Sequence, residues 1–184
     1  MYQNNELFKN KYRVHSCRLR GWDYSWPGYY FVTICTKDRV HFFGEVKNEE
    51  MYLSDIGKIA VKYWQEIPKH FPFVVLDKYI IMPNHIHGIL VINNHVEAQN
   101  FAPLQNGYKN EFGPQSKNLA SIVRGFKIGV KKYTIINNIE FAWQSRFYDH
   151  IIRNEESLNN IRQYIVDNPK KWSRDRNNQD GLYL

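Results

Sequence analysis

The sequence lacks the long apolar runs and the paired cysteines that mark several classes of protein. Its longest apolar stretches, at residues 73–76, 79–82 and 88–92, are far shorter than a membrane-spanning helix. The first residues carry no apolar core of the kind that a secretory signal needs, so we expect a cytoplasmic protein. The two cysteines, Cys17 and Cys35, are too far apart for a CxxC motif, and we interpret them as reduced thiols.

Basic and aromatic residues, in contrast, are abundant. Lys and Arg number 25 against 18 Asp and Glu, which gives a formal charge of +7, and 16% of the residues are aromatic. Positive charge attracts phosphates, and flat rings offer stacking surfaces for unpaired bases. The composition is typical of a nucleic-acid-binding protein, although a basic enzyme acting on another anionic substrate would share it. The 184 residues suffice for one domain with its own core.

Hydrophobic periodicity predicts an alternation of strands and helices. The predicted elements, in chain order, are a strand at 29–36, a helix at 54–67 ended by Pro68, strands at 73–82 and 85–92, a helix from Ser116 to Tyr133, extended chain at 141–152 and a helix at 154–167 ended by Pro169. This order predicts an α+β fold, most simply a ferredoxin-like antiparallel sheet with helices on one face, followed by a C-terminal helix.

Composition also suggests how the chain is organised around that domain. Residues 1–28 are polar and basic and form a predicted N-terminal arm, and residues 173–184 form a basic tail. The domain itself is predicted at 29–172. Within it, residues 93–116 are rich in Asn, Gln, Gly and Pro and lack periodicity, so we expect a long mobile surface loop.

His85 and His87 are the first candidate metal ligands. They flank one apolar residue on a predicted strand, so their side chains lie on the same face, roughly 6.6–7 Å apart at the backbone. Two imidazoles can converge there on one cation, while Ile86 points into the core. A His-x-His pair alone is more often a chance arrangement, because a metal site needs three or more ligands.

The last predicted helix offers a third ligand and a nucleophile. Tyr164 and Asn168 stand four residues apart, on one helix face, with Pro169 directly after them. The Asn168 amide oxygen can complete a site of two nitrogens and one oxygen, with the Tyr164 phenol beside it. Taken singly, these residues are better explained as a core tyrosine and a helix-terminal asparagine. We rank Tyr148 and Tyr133 below Tyr164 as nucleophile candidates.

Together, these segments resemble a known family. The segments 82–88 (MPNHIHG), Trp143-Gln144 and 164–169 (YIVDNP), in this order, resemble the single-tyrosine HUH transposases of the IS200/IS605 type, and especially their domesticated relatives, the REP-associated tyrosine transposases. The resemblance extends from about Arg18 to Trp172. Insertion-sequence members usually carry glutamine where this chain has asparagine four residues after the tyrosine, and the shorter side chain is typical of the REP-associated subgroup.

The resemblance implies an HUH-type nuclease that cleaves single-stranded DNA by transesterification. Tyr164 is then the nucleophile that forms a 5′-phosphotyrosine, and His85, His87 and Asn168 hold a divalent metal that polarises the scissile phosphate. A phenol, with a pKa of about 10, ionises more readily than a serine hydroxyl, and its phosphodiester conserves the bond for rejoining. We expect Mg²⁺ or Mn²⁺ as the cofactor, with Mn²⁺ bound more tightly because imidazoles suit it better.

Candidate DNA contacts are more diffuse. Arg124, Lys127 and Lys131 form a basic stripe opposite an apolar one on a predicted helix, and Arg18 and Arg20 lie in the arm. Such a stripe is equally well explained as a solvated helix face. The resemblance implies that the partner is a hairpin of single-stranded, REP-like palindromic DNA, bound at the nucleoid by a homodimer or a monomer, with no membrane partner.

Two other functions are compatible with the same residues. A ferredoxin-like sheet with exposed aromatics can bind single strands without cutting them, although such a domain has no need of His85, His87, Tyr164 and Asn168 together. A metallohydrolase with a water nucleophile would cut DNA without forming a protein adduct.

Overall fold

A four-stranded antiparallel sheet organises the computed structural model, which describes residue 19 and residues 21–93, 116–175 and 177–178. The elements, in chain order, are β1 (Gly28–Cys35), β2 (Gly44–Lys47), β3 (Glu50–Leu53), α1 (Asp55–Gln65), α2 (Ile67–His70), β4 (Val74–Ile81), β5 (His85–Ile92), α3 (Leu119–Ile136), β6 (Tyr148–Ile152) and α4 (Glu155–Val166). The central sheet has the order β4-β5-β1-β6, and all its neighbouring strands are antiparallel. The predicted α+β, ferredoxin-like fold is confirmed.

Alternating residues along β1 and β5 give the sheet two apolar faces. On the first face, Tyr30, Val32 and Ile34 of β1 are buried with Ile86 and Leu90 of β5. The buried residues of α1 and α3 complete this large cluster, and they are Ile56, Ala60, Trp64, Leu119, Ile122, Val123, Phe126 and Val130. Both helices therefore lie on one face, as the sequence predicts.

Gly88 of β5 allows α1 to approach that face closely. A side-chain carbon at this position would lie 2.9 Å from Trp64 Cη2, which is closer than real carbon contacts come. Trp64 is fully buried, so it has no room to move away. The glycine after His87 is thus required by packing on the face opposite the histidines.

α4 lies on the other face of the sheet. Phe31, Ile89 and Ile152 of the sheet pack there with Leu158 and Ile165 of the helix in a second, smaller buried cluster. Strand residues two apart share a face, so His85 and His87 belong to the same face as Ile89. The C-terminal helix and the two histidines are therefore on the same side of the sheet.

The hairpin of β2 and β3 was not predicted from the sequence. It pairs Gly44 with Leu53 and Lys47 with Glu50 around a two-residue turn. Both turn residues, Asn48 and Glu49, have positive φ (50° and 63°), and neither is the glycine that usually marks such a turn. Strands of four residues with an atypical turn leave too little pattern to predict.

Two helix ends also differ from their predictions. α1 ends at Gln65, before Pro68, and Pro68 instead occupies the first turn of the short helix α2. A proline is tolerated there because the first N–H groups of a helix have no intrahelical acceptor. The N-cap of α3 is Asn118, whose side chain accepts from Ser121 N, rather than Ser116.

Several predictions fall outside the described residues. These are the structure of residues 1–18 with Cys17 and Arg18, the position of Arg20, nearly all of the 93–116 loop, and the end of the basic tail beyond 178. Within the described ranges, no helix is long and apolar enough to cross a membrane.

Candidate active site

The two histidines of β5 lie side by side beneath α4. His85 and His87 are 0% and 3% exposed, and their ring centroids are 4.4 Å apart. Both are at the start of the strand, where β5 pairs with the end of β1: Cys35 faces His85 and Thr33 faces His87. The predicted convergence of the two imidazoles is present in the structure.

Asn84 determines which nitrogen of His85 carries the proton. Its Nδ2 donates to the carbonyls of Arg39 and Asn177, at 2.9 and 2.7 Å, which assigns the other amide atom as the oxygen. That oxygen lies 2.9 Å from His85 Nδ1, so Nδ1 donates the hydrogen bond. Nε2 of His85 therefore carries the lone pair that a metal requires, and hydrogen bonding of this kind is typical of metal-binding histidines.

His87 lies between a threonine of the sheet and the tyrosine of α4. Its Nδ1 is 2.9 Å from Thr33 Oγ1, and its Nε2 is 3.1 Å from the Tyr164 hydroxyl. Phe31 stacks on the His87 ring at 5.3 Å between centroids and meets the Tyr164 ring edge-on at 6.2 Å. Tyr164 remains 40% exposed, so a substrate can reach its hydroxyl.

A partly buried ion pair holds α4 against the sheet. Arg162, two residues before Tyr164, donates from Nε and Nη2 to the Asp77 carboxylate of β4, with an Nη2–Oδ2 distance of 2.5 Å. The Arg162 hydrogen bonds lower the pKa of the Asp77 carboxyl below its ordinary value, against the opposing effect of burial. The N-terminus of α4 is also capped, because Asn154 Oδ1 accepts a hydrogen bond from Ser157 N. The position of Tyr164 thus depends on contacts within one chain.

The chain after α4 returns across the histidines and brings an unpredicted carboxylate. Trp172, in the short 3₁₀ helix Pro169–Arg174, lies 5.9 Å from His85 between ring centroids. Asp175 follows, and one ligand atom each of His85, His87 and Asp175 lie within 4.8 Å of one another. The sequence gives no periodic pattern at Asp175. The long-range hydrogen bond from Asn84 to Asn177 and the contact of Trp172 with His85 hold this segment against the histidines.

Asn168, the predicted third ligand, is buried at the end of α4. It is 1% exposed, and within the described part of the chain its Oδ1 has no hydrogen-bond donor. An amide oxygen buried without a partner costs about 1–3 kcal/mol. A bound cation would remove this cost, so the environment of Asn168 fits a ligand role.

The donor set as a whole fits a divalent cation. Two imidazole nitrogens suit Mn²⁺ and its neighbours, and a carboxylate such as Asp175 is a ligand for both Mn²⁺ and Mg²⁺. The proton on His85 Nδ1 and the buried Asn168 oxygen point to the same conclusion. The cluster of His85, His87 and Asp175 could hold a metal.

Lys127 and Lys131, two of the predicted DNA contacts, bind the protein's own backbone. Lys127 Nζ donates to the carbonyls of Gln144 and Arg146 at 2.8 and 2.7 Å, and Lys131 Nζ donates to the Phe141 carbonyl. Burial lowers the pKa of the Lys127 ammonium to about 8. These lysines fasten the segment before β6 to α3, a role that a helical stripe of charge does not reveal.

The other three predicted DNA contacts differ in position. Arg124 is exposed on α3, beside a cavity of about 590 Å³ that Lys131, Trp143 and Arg146 also line. Arg18 and Arg20 lie outside the described residues. Lys127 also lines this cavity, and of the three candidate DNA contacts that the structure describes, Arg124 is the exposed one.

Comparisons with known proteins agree with this architecture. An uncharacterized protein of Haemophilus influenzae is 41% identical over 165 residues, which cover 88% of this chain and 91% of that protein. A second Haemophilus influenzae protein, provisionally named a REP-associated tyrosine transposase, is 28% identical over 149 residues, or 81% of this chain and 74% of that protein. The chain thus resembles a protein that carries the name of the REP-associated tyrosine transposases. No family model matches the sequence.

A solved REP-associated tyrosine transposase, bound to a REP hairpin, has the same fold. It superposes with a TM-score of 0.56 at 18% identity, covering 86% of this chain and 74% of that one. The predicted resemblance to the REP-associated tyrosine transposases is therefore confirmed, and it supports a transposase-like function.

Proposed function

We propose that this protein is a metal-dependent endonuclease and strand transferase for hairpin-forming single-stranded DNA, and that it acts through a 5′-phosphotyrosine at Tyr164. The observation that carries the proposal is the 3.1 Å contact between the Tyr164 hydroxyl and His87 Nε2, at a cluster of three potential metal ligands. A phenol placed against such a cluster is positioned to attack a phosphate held there.

The covalent step conserves one phosphodiester. The Tyr164 oxygen bonds to phosphorus as the bond to the 3′-oxygen breaks; the phenol releases a proton, and the leaving 3′-hydroxyl takes one up. Held by His85, His87 and an oxygen ligand from Asp175 or Asn168, a Mg²⁺ or Mn²⁺ ion would supply charge that stabilises the phosphate in the transition state. Reversal by another 3′-hydroxyl transfers the strand without ATP.

The expected partner is a DNA hairpin. The related solved transposase is bound to a REP hairpin, and the net charge of +7 on this chain favours a polyanion. The Tyr164 hydroxyl contacts His87 of its own chain, so we propose that a monomer is sufficient for cleavage. The proposed location is the cytoplasm, at the nucleoid.

The direct test is whether the protein forms a covalent adduct with DNA. We expect the protein to form an SDS-stable complex with a labelled hairpin oligonucleotide, copied from palindromic repeats flanking its gene, when Mg²⁺ or Mn²⁺ is added. Tyr164→Phe should abolish the adduct and leave hairpin binding within about twofold, because only the nucleophilic oxygen is lost. Tyr148→Phe, a change at another exposed tyrosine of the same sheet face, is the matched control and should keep the adduct.

The alternatives give different results in this assay. An adduct of undiminished yield in Tyr164→Phe contradicts the nucleophile assignment. Metal-dependent cutting without an adduct indicates a water nucleophile, and hairpin binding without cutting in either metal indicates a non-catalytic binding domain.

A further inference from the structure

Three residues form a row across the sheet at the candidate site. Thr33 of β1 pairs with His87 of β5 on one side and with Tyr148 of β6 on the other. Residues that pair across strands project from the same face. Tyr148 therefore stands on the histidine face, two strand spacings or about 9.5 Å from His87 at the backbone.

A buried ring connects Tyr148 to the candidate nucleophile. Phe31, 8% exposed, contacts Tyr148 edge-on at 6.4 Å between centroids and Tyr164 edge-on at 6.2 Å. The two tyrosines thus flank one phenylalanine and are exposed to 47% and 40%. Phe31 therefore supports both tyrosine rings on their sheet side. Nearly half of the Tyr148 residue surface stays open to solvent.

Packing does not require the exposed ring of Tyr148. It is the first residue of β6, the edge strand of the sheet, and the small cluster beneath α4 consists of other side chains. Tyr52 of β3 is exposed to a similar extent, 50%, but it belongs to the separate two-stranded sheet and lies 3.5 Å from the Glu50 carboxylate. Among the exposed tyrosines that the structure describes, Tyr148 is the one whose ring is linked to Tyr164 through Phe31.

We propose that Tyr148 is a stacking platform for the nucleobase beside the scissile phosphate. The inference rests on the proposed function and adds to it a base-binding site. A strand whose phosphate lies at the Tyr164 hydroxyl carries its neighbouring bases past the adjacent sheet face, where Tyr148 offers a flat ring. Every base has a π-face, so this contact orders a single strand without reading its sequence.

The test compares two probes of equal charge. One is oligothymidylate of roughly twelve nucleotides, and the other is an abasic oligonucleotide of the same length. In a Tyr164→Phe background, which prevents cleavage, Tyr148→Ala should weaken oligothymidylate binding by about 5- to 100-fold and leave abasic binding unchanged. Tyr148→Phe should bind both probes as the parent does. Tyr148→Leu, which keeps apolar cover over Phe31, should resemble Tyr148→Ala.

Tyr52→Ala is the control for loss of an exposed tyrosine and should change neither affinity. The inference is overturned if Tyr148→Ala and Tyr52→Ala bind oligothymidylate equally well, or if Tyr148→Ala loses both probes alike. Either result would leave adduct formation by the wild-type protein intact, so failure of the stacking site and failure of the proposed nuclease are distinguishable. The inference is also overturned if the Tyr164→Phe protein binds the abasic oligonucleotide more tightly than oligothymidylate.

Discussion

At the scale of single residues, Asn84 connects the candidate metal-ligand cluster to the end of the described chain. The Asn84 side chain fixes the proton on His85 Nδ1. It also donates to the Asn177 carbonyl and thereby holds the segment that carries Asp175. Replacing it removes both constraints without touching a ligand.

We therefore expect Asn84→Ala to weaken Mn²⁺ binding by about 10- to 100-fold, the range for residues that orient metal ligands. Isothermal titration calorimetry with Mn²⁺ measures this directly. Asn160→Ala, at an exposed asparagine of α4, serves as the control and should bind Mn²⁺ as the wild type does. Equal affinities for the two variants would show that Asn84 does not orient the site.

The structure brings together the candidate site residues whose placement follows from local spacing. His85 and His87 share a face because strands alternate, and Tyr164 reaches them because α4 lies on that face. Asp175 follows no period, and its position depends on a hydrogen bond between residues 93 apart in sequence. Lys127 illustrates the converse: its helical position was correct, but its carbonyl partners lie on a segment that sequence spacing does not relate to α3.

At the scale of elements, the Arg162–Asp77 pair determines how firmly α4 is held. The Asp77 side chain is 14% exposed and the Arg162 side chain 33%, so solvent screens the pair only in part. We expect Asp77→Asn to lower the free energy of unfolding by about 1–2 kcal/mol near neutral pH. Urea denaturation measures the change, with Asp38→Asn at an exposed aspartate as the control.

The same pair gives the stability a dependence on pH. The pKa of Asp77 is lowered in the folded protein, so its stabilisation is complete above the ordinary carboxyl pKa of about 4. It is lost as the pH falls through the lower, folded-state value. The difference between wild type and Asp77→Asn should therefore shrink in acid, and a difference that stays constant down to about pH 2 would contradict the assigned pKa shift.

The elements that sequence patterns failed to predict are short. α2 and the strands β2 and β3 have four residues each, about one helical period or two strand periods, which is too short for a pattern to be recognised. The long elements β1, β5, α3 and α4 carry clear apolar periods, and their positions were predicted to within a few residues.

At the scale of the whole molecule, the two faces of the sheet are unequally supported. α1 and α3 share the large cluster that includes Trp64, Phe126 and Tyr30. α4 rests on the five-residue cluster of Phe31, Ile89, Ile152, Leu158 and Ile165, together with its ion pair. The helix that carries Tyr164 therefore has the smaller share of buried apolar surface.

We expect this imbalance to make α4 a separate cooperative unit. Its backbone amides should exchange with deuterium through an opening that costs less free energy than global unfolding, while those of α3 and β5 require the whole molecule to unfold. Native-state hydrogen exchange at increasing urea concentrations measures both, and a single common opening energy would contradict the division. The proposed nucleophile would then be carried by a part of the protein that leaves and rejoins the native state more often than the rest of the sheet and its helices.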